Sequence, residues 1–135
     1  MFDTKIAIVI REDLAVWQKL NVTAFLTSGI VGAHDGIIGE VYEDAAGNRY
    51  NPLIVQPMMI YAAPAEKMAT VYRRAMDRGA QISIYIKEMF ATGDDTANRA
   101  AVKAADPETM SIVGLAFRED RKAVDKITKG LKLHG

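Results

Sequence analysis

Cysteine is absent from this 135-residue sequence, which excludes disulfides and thiolate metal centres. Histidine occurs only twice, at His34 and His134, and no spaced set of histidines and carboxylates offers a metal site. Neither sign of charge is in excess. Seventeen Lys and Arg balance seventeen Asp and Glu, so attraction to nucleic acid through bulk charge is disfavoured. No apolar run reaches the length of a bilayer span, and no membrane partner is expected. Met1-Phe2-Asp3-Thr4 shows no charged region leading into an apolar one, so no secretory signal is read and the cytoplasm is the expected compartment. A phosphate-cradling glycine motif and a Gly-x-Ser-x-Gly elbow are also missing, and no cofactor is called for.

What is present suits one domain. Half of the residues are hydrophobic and a quarter charged, enough to bury a core over 1–135 without a metal or a cross-link. Lys5 to Ile10 reads as a strand with apolar residues on both faces, which belongs inside a sheet covered on both sides. Asn21 is the expected cap of a first helix, whose stripe is Val22, Phe25, Leu26, Gly29, Ile30 and Ala33. Arg11 to Leu20 is then a connecting segment, in the position where α/β proteins place ligands. Glu43 to Asn48 is a turn between two short strands. Leu53 to Gln56 and Met58 to Tyr61 are strand-like, with Pro57 between them.

Pro64 opens a second helix and Gly79 closes it, with Met68, Val71, Tyr72 and Ala75 as the buried stripe. Gln81 to Ile86 is a strand. Asp94 or Asp95 caps an alanine-rich helix in which Ala97, Ala100, Ala101 and Ala104 allow close packing. Ser111 to Phe117 is the last main strand, and Glu119 to Lys129 the last helix. This alternation predicts an α/β three-layer sandwich around a mixed or largely parallel sheet, with residues 31–57 as an elaboration. The cations Arg118, Arg121, Lys122, Lys126, Lys129 and Lys132 outnumber the anions near the last helix, and read as a solvated face that also suits the helix dipole.

Three stretches carry a family resemblance. Lys5-Ile6-Ala7-Ile8-Val9-Ile10 runs into Arg11-Glu12-Asp13-Leu14, with Lys19 and a helix bearing Ala24 beyond it. Tyr61, the Met68 to Arg78 helix, Gly79 and Ile82 to Ile86 follow in order, and Asp125-Lys126-Ile127-Thr128 leads to Leu131-Lys132-Leu133. In that order they resemble the type II peptidyl-tRNA hydrolases, and within that fold an uncharacterised bacterial branch known as a domain of unknown function. The resemblance implies a peptidyl-tRNA hydrolase II-like fold. It also implies a site at the loop after the first strand. The family pairs a loop lysine with an aspartate after its third strand; here that strand is followed by Lys87-Glu88-Met89-Phe90, with no aspartate until Asp94.

Two functional readings follow. In the first, the strand-end loop binds a small molecule or a tRNA-like RNA end through Arg11, Asp13, Trp17 and Asn21, beside Lys19, without the family's chemistry. In the second, a divergent hydrolase uses Lys19 to stabilise an oxyanion and Glu88 to position water, while Arg11 and Asp13 order the loop. Either Asn21 or Lys19 takes the family's lysine position. Trp17, placed in the loop, either plugs the core edge or offers a pocket a stackable face. His34, followed by Asp35, reads as a turn or helix-terminal residue. A homodimer built on an exposed apolar face is a third, structural expectation.

Overall fold

The computed structural model describes residues 2–135. Strand β1 (Thr4–Arg11) pairs in parallel with β4 (Met58–Ala63), Ile8 facing Ile60, and antiparallel with β6 (Ile112–Asp120), Ile8 facing Ala116. On the outer sides β5 (Ile82–Ile86) and β7 (Lys132–Leu133) complete the order β5-β6-β1-β4-β7. The sheet is mixed. Of the two expectations, mixed or largely parallel, the first holds: β6 and β7 run against β1, β4 and β5, and among the described residues β1 and β4 form the one parallel neighbouring pair.

Burial explains why β1 and β6 are central. Residues 6–10 and 112–117 are buried without interruption, as strands covered on both faces must be. On one face Ile6, Ile8, Ile10 and Val113 meet Val22, Leu26 and Ile30 of helix α1 (Val16–Ala33). On the other, Ala7, Val9, Leu115 and Phe117 meet Met68, Val71 and Ala75 of α2 (Ala65–Asp77) and Val124 and Ile127 of α4 (Arg121–Ile127). Those are the three layers. Pro64 and Gly79 punctuate α2 as expected, Gly79 at φ +67. Arg74 of α2 donates to the Ile127 and Lys129 carbonyls, satisfying the end of α4.

Helix α1 starts six residues earlier than the sequence suggests. Ala15 is its N-cap; the Gln18 side chain accepts the Ala15 N–H at 3.0 Å, and the Lys19 N–H donates to the Ala15 carbonyl. Asn21 therefore lies inside the helix, and Trp17 and Lys19 ride on it rather than in a loop. The stripe is also narrower, since Phe25 is 52% exposed while Val22, Leu26 and Ile30 are buried. Two glycines let this helix lie close to the sheet. A Cβ at Gly114 of β6 would sit 2.6 Å from Val22 Cγ1, and one at Gly29 would sit 2.9 Å from Ser83 Cβ.

Helix α3 (Asp95–Ala104) is capped by Asp94, whose Oδ1 accepts the Ala97 N–H at 2.8 Å. Its alanines do not all pack: Ala97 and Ala101 are half-buried, whereas Ala100 and Ala104 face solvent. The helix leans across the β5 edge through Ala101 and Val102 instead of lying over the sheet. Leu53 to Gln56 forms no strand of its own. A single bridge joins Ile54 to Ile38 and forms the base of an arm. The arm ends in β2 (Tyr42–Glu43) and β3 (Arg49–Tyr50), and every residue from 40 to 51 is exposed. Among the described residues no helix is long and apolar enough to cross a membrane.

Asp44 organises the arm's tip. Its carboxylate accepts from the Ala46 and Asn48 N–H groups, the Asn48 side chain and the Tyr50 hydroxyl at 2.7–3.0 Å. The Tyr50 hydroxyl first, then Asn48, hold its pKa at about 2 against an ordinary 3.8. Because the folded carboxyl is the stronger acid, the stabilisation is complete above the ordinary value and disappears as pH falls through about 2. The Ala46 and Asn48 amide NMR shifts should therefore hold from neutral pH to about 3 and change below it. Turn shifts already lost at about pH 4.5, with the core still folded, would contradict this role.

Candidate ligand cleft

One end of the sheet gathers the loops that matter. The C-terminal ends of β1, β4 and β5 meet the start of β6 there, with Arg11 beside Ala63, Ile10 beside Gly114 and Ile86 beside Ile112. Two clefts open at this end, one on each face of the sheet. The residues singled out from the sequence are divided between them.

Arg11 belongs to the α2 side. Its Nε donates to Asp13 Oδ1 at 2.6 Å and its Nη1 to the Ser111 hydroxyl at 3.2 Å, so the guanidinium ties the β1 loop to the start of β6. It lines a cleft of about 450 Å³ with Met68, Tyr72 and Arg73 of α2 and the 107–112 segment. Asp13 is largely exposed and meets solvent with its free oxygen. An ion pair so open to water contributes little stability by itself. Its effect is to fix the direction in which the chain leaves β1 towards α1.

Trp17 and Asn21 belong to the α1 side. Residues four apart on a helix share a face, so Trp17, Asn21 and Phe25 form one stripe pointing at β5 and the 3-10 turn Lys87–Ala91. Tyr85 meets them because strand side chains alternate, and it points opposite to Ile84 and Ile86. Four rings result. Trp17 lies 6.0 Å from Phe90, Phe90 5.1 Å from Tyr85, and Tyr85 6.0 Å from Phe25, centroid to centroid, each tilted against the next. They line a cleft of about 470 Å³ closed by Met89, Thr92 to Asp95 and Asn98. Trp17 remains 61% exposed, whereas Tyr85 is only 5% exposed and forms the floor. Burial pushes the Tyr85 phenol above its ordinary pKa, opposed in smaller part by the neighbouring Asn21 amide. The floor hydroxyl is thus protonated at neutral pH.

The chemistry at the rim is set by Asp94, Asp95, Asn98 and Thr92, and no Lys or Arg lines this cleft. Thr92 and Asn98 hydrogen-bond to each other, and the Thr92 hydroxyl also reaches the Met89 carbonyl. Phe25, Tyr85 and Phe90 were not singled out from the sequence as site residues. The i, i+4, i+8 spacing of Trp17, Asn21 and Phe25 carries that signal, but it is readable only once α1 is known to begin before Trp17.

Lys19 and Glu88 are not brought together. Two residues beyond Trp17, Lys19 points to the opposite side of α1, about 200° round the helix. Its Nζ donates to His134 Nε2 at 3.2 Å, while His134 Nδ1 donates to the Gly135 carbonyl. The His134 N–H is anchored on the Ile60 carbonyl of β4, so Lys19 is held near the β4–β7 edge. Glu88 is exposed in the turn after β5, at the other edge of the sheet. With strands about 4.8 Å apart, the four steps from β5 to β7 span about 19 Å. His34 caps the C-terminus of α1, with Nε2 buried and unpaired, and lines neither cleft. Among the described residues no three His, Asp or Glu side chains are grouped to hold a metal.

Comparison with known proteins leaves the chemistry open and settles the family. Among curated proteins none matches this chain. A solved structure of a protein of unknown function from Agrobacterium tumefaciens is similar over 100% of both chains, with 57% identity and a TM-score of 0.98. The family described as "Protein of unknown function (DUF2000)" matches residues 4–135, and the chain belongs to that family.

Proposed function

We propose that this protein binds a small organic molecule in the cleft between α1 and the β5 turn and does not hydrolyse it. The reading treats residues 1–135 as one domain of peptidyl-tRNA hydrolase II-like fold in which the strand-end site persists without the family's reaction. What carries it is the state of Trp17 and Phe25. Both are more than half exposed, on a helical stripe with Asn21, around a floor that is already formed. Large aromatic side chains left open to water in a concave site of this size suit a ligand with an apolar or flat face. Arg11 and Asp13 support the site by bracing the loop, and Trp17 and Asn21 contact the ligand. An RNA end fits less well, because its phosphates would meet Asp94 and Asp95 with no cation in the lining.

The hydrolase reading, with Lys19 and Glu88 as its catalytic pair, is not favoured by their separation. Wild-type protein should not turn over N-blocked aminoacyl-tRNA. Measurable turnover that fell about a hundredfold in both Lys19→Ala and Glu88→Gln would reinstate it. The binding reading is tested through Trp17, the sole tryptophan. Titration with a library of small organic ligands should find compounds that shift Trp17 emission, each weakened about tenfold by Asn21→Ala, the cost of a lost, well-formed hydrogen bond in a cleft. Ligands that raise the melting temperature while leaving Trp17 emission unchanged would move the site elsewhere.

For the homodimer, the arm offers the surface. Val41, Tyr42, Tyr50 and Leu53 are exposed on it, and a two-stranded ribbon alone is marginal in water. Glu43 opposite Arg49 gives a second arm complementary charges to meet. Sedimentation should show a dimer that Tyr42→Ser with Leu53→Ser converts to monomer. A wild-type monomer at every concentration would remove this reading.

A further inference from the structure

The character of the cleft's walls narrows the ligand further. This step rests on the binding reading above. Four aromatic rings supply most of the apolar wall, with neighbours tilted at 69°, 48° and 58° to one another rather than stacked in parallel. A stack packed only for stability would bury its largest ring, yet Trp17 stays open. The electron-rich faces of such rings attract a cation held within about 6 Å of a centroid, tryptophan most strongly.

Charge at the rim points the same way. Asp94 and Asp95 both line the cleft, and no basic side chain does. Asp94 Oδ1 is taken by the Ala97 N–H, and its second oxygen makes no hydrogen bond among the described residues. Asp95 is paired with Arg99 one turn along α3, on the exposed side. Two of the remaining polar groups are committed: Thr92 bonds to Asn98 and to the Met89 carbonyl. A primary ammonium would need several acceptors to replace its water. A methylated ammonium has few or no N–H groups to satisfy and can lie against apolar walls.

We infer that the cleft recognises an organic cation of the quaternary or methylated ammonium class, held by Trp17, Phe25, Tyr85 and Phe90 with Asp94 at the rim. A phosphate or carboxylate ligand would meet the unpaired carboxylate of Asp94 with no basic side chain among the described residues of the lining, Arg99 being taken up by Asp95. A neutral flat ligand would use the rings but leave the rim without a partner.

The test uses the intact protein and three probes: tetramethylammonium, choline, and the uncharged analogue of choline in which carbon replaces nitrogen. Binding is read by calorimetry and by Trp17 emission. Choline should bind at least about fivefold more tightly than its neutral analogue, within the range of a cation over aromatic faces. Asp94→Asn keeps the cap of α3, because asparagine caps as well as aspartate, and removes only the charge. It should weaken choline about threefold or more and leave the neutral analogue unchanged. Trp17→Ala removes an exposed ring and should abolish cation binding with the melting temperature unchanged.

Equal affinity for choline and its neutral analogue, or no effect of Asp94→Asn, overturns the cation inference while leaving the cleft a ligand site. No response to any of the three probes also overturns it. The library titration then decides separately whether the cleft binds anything at all.

Discussion

At Gly114, near the start of β6, the strand passes beneath Val22 and Leu26 of α1, and an added Cβ would come within 2.6 Å of one and 3.0 Å of the other. Gly29 makes the reciprocal allowance on the helix, where Ser83 of β5 occupies the space a side chain would need. Together they fix how near α1 lies to the sheet and at which residues it touches. Overfilling such a contact typically costs about 1–3 kcal/mol, since Val22 is stiff and the backbone on either side is held in a ladder or a helix. With Val22, Leu26 and Ile30 seated, the helix has no rotational freedom left. The stripe one position round, Trp17, Asn21 and Phe25, must then face the turn after β5. The cleft is a consequence of that seating.

The same helix separates two chemistries that lie close together in sequence. Trp17 and Lys19 are two residues apart, and a helix sends them in opposite directions. Trp17 meets Phe90 while Lys19 reaches across to His134 near the other edge of the sheet. Had this segment been a loop, both could have entered one site. Just before it, Arg11 donates both to Ser111 at the start of β6 and to Asp13, so the chain leaving β1 towards α1 is tied down.

How much of this the sequence disclosed follows from where the signals come from. Strand β1 and helix α2 were legible because their patterns are local: continuous apolar residues from Ile6 to Ile10, and Pro64 and Gly79 bracketing Met68, Val71 and Ala75. The start of α1 was not, because Val16, Trp17 and Leu20 precede the buried stripe and have no core to face. Its cap is also a Gln18 side chain rather than a Ser, Thr or Asp at the boundary. Trp17 and Asn21 stand out in the sequence, but there Trp17 reads as a loop residue and Asn21 as the helix cap. Phe25 reads as core because its spacing fits the stripe, and only its exposure in the fold shows that it lies outside. Tyr85 and Phe90 enter through tertiary contact, which no spacing in their own segments announces. The direction of β6 was equally hidden, since a strand following α3 reads the same whether it runs with β1 or against it.

Helix α1, seated through Gly114, holds Trp17 against Phe90 in an open cleft before any ligand arrives. One nuclear Overhauser spectrum of the unliganded protein tests both halves. It should contain cross-peaks from the Val22 and Leu26 methyl groups to the Gly114 α-protons, and from the Trp17 indole to the Phe90 ring. Trp17 cross-peaks to core residues, or none to Phe90 while the Gly114 contacts persist, would mean that the cleft is not preformed.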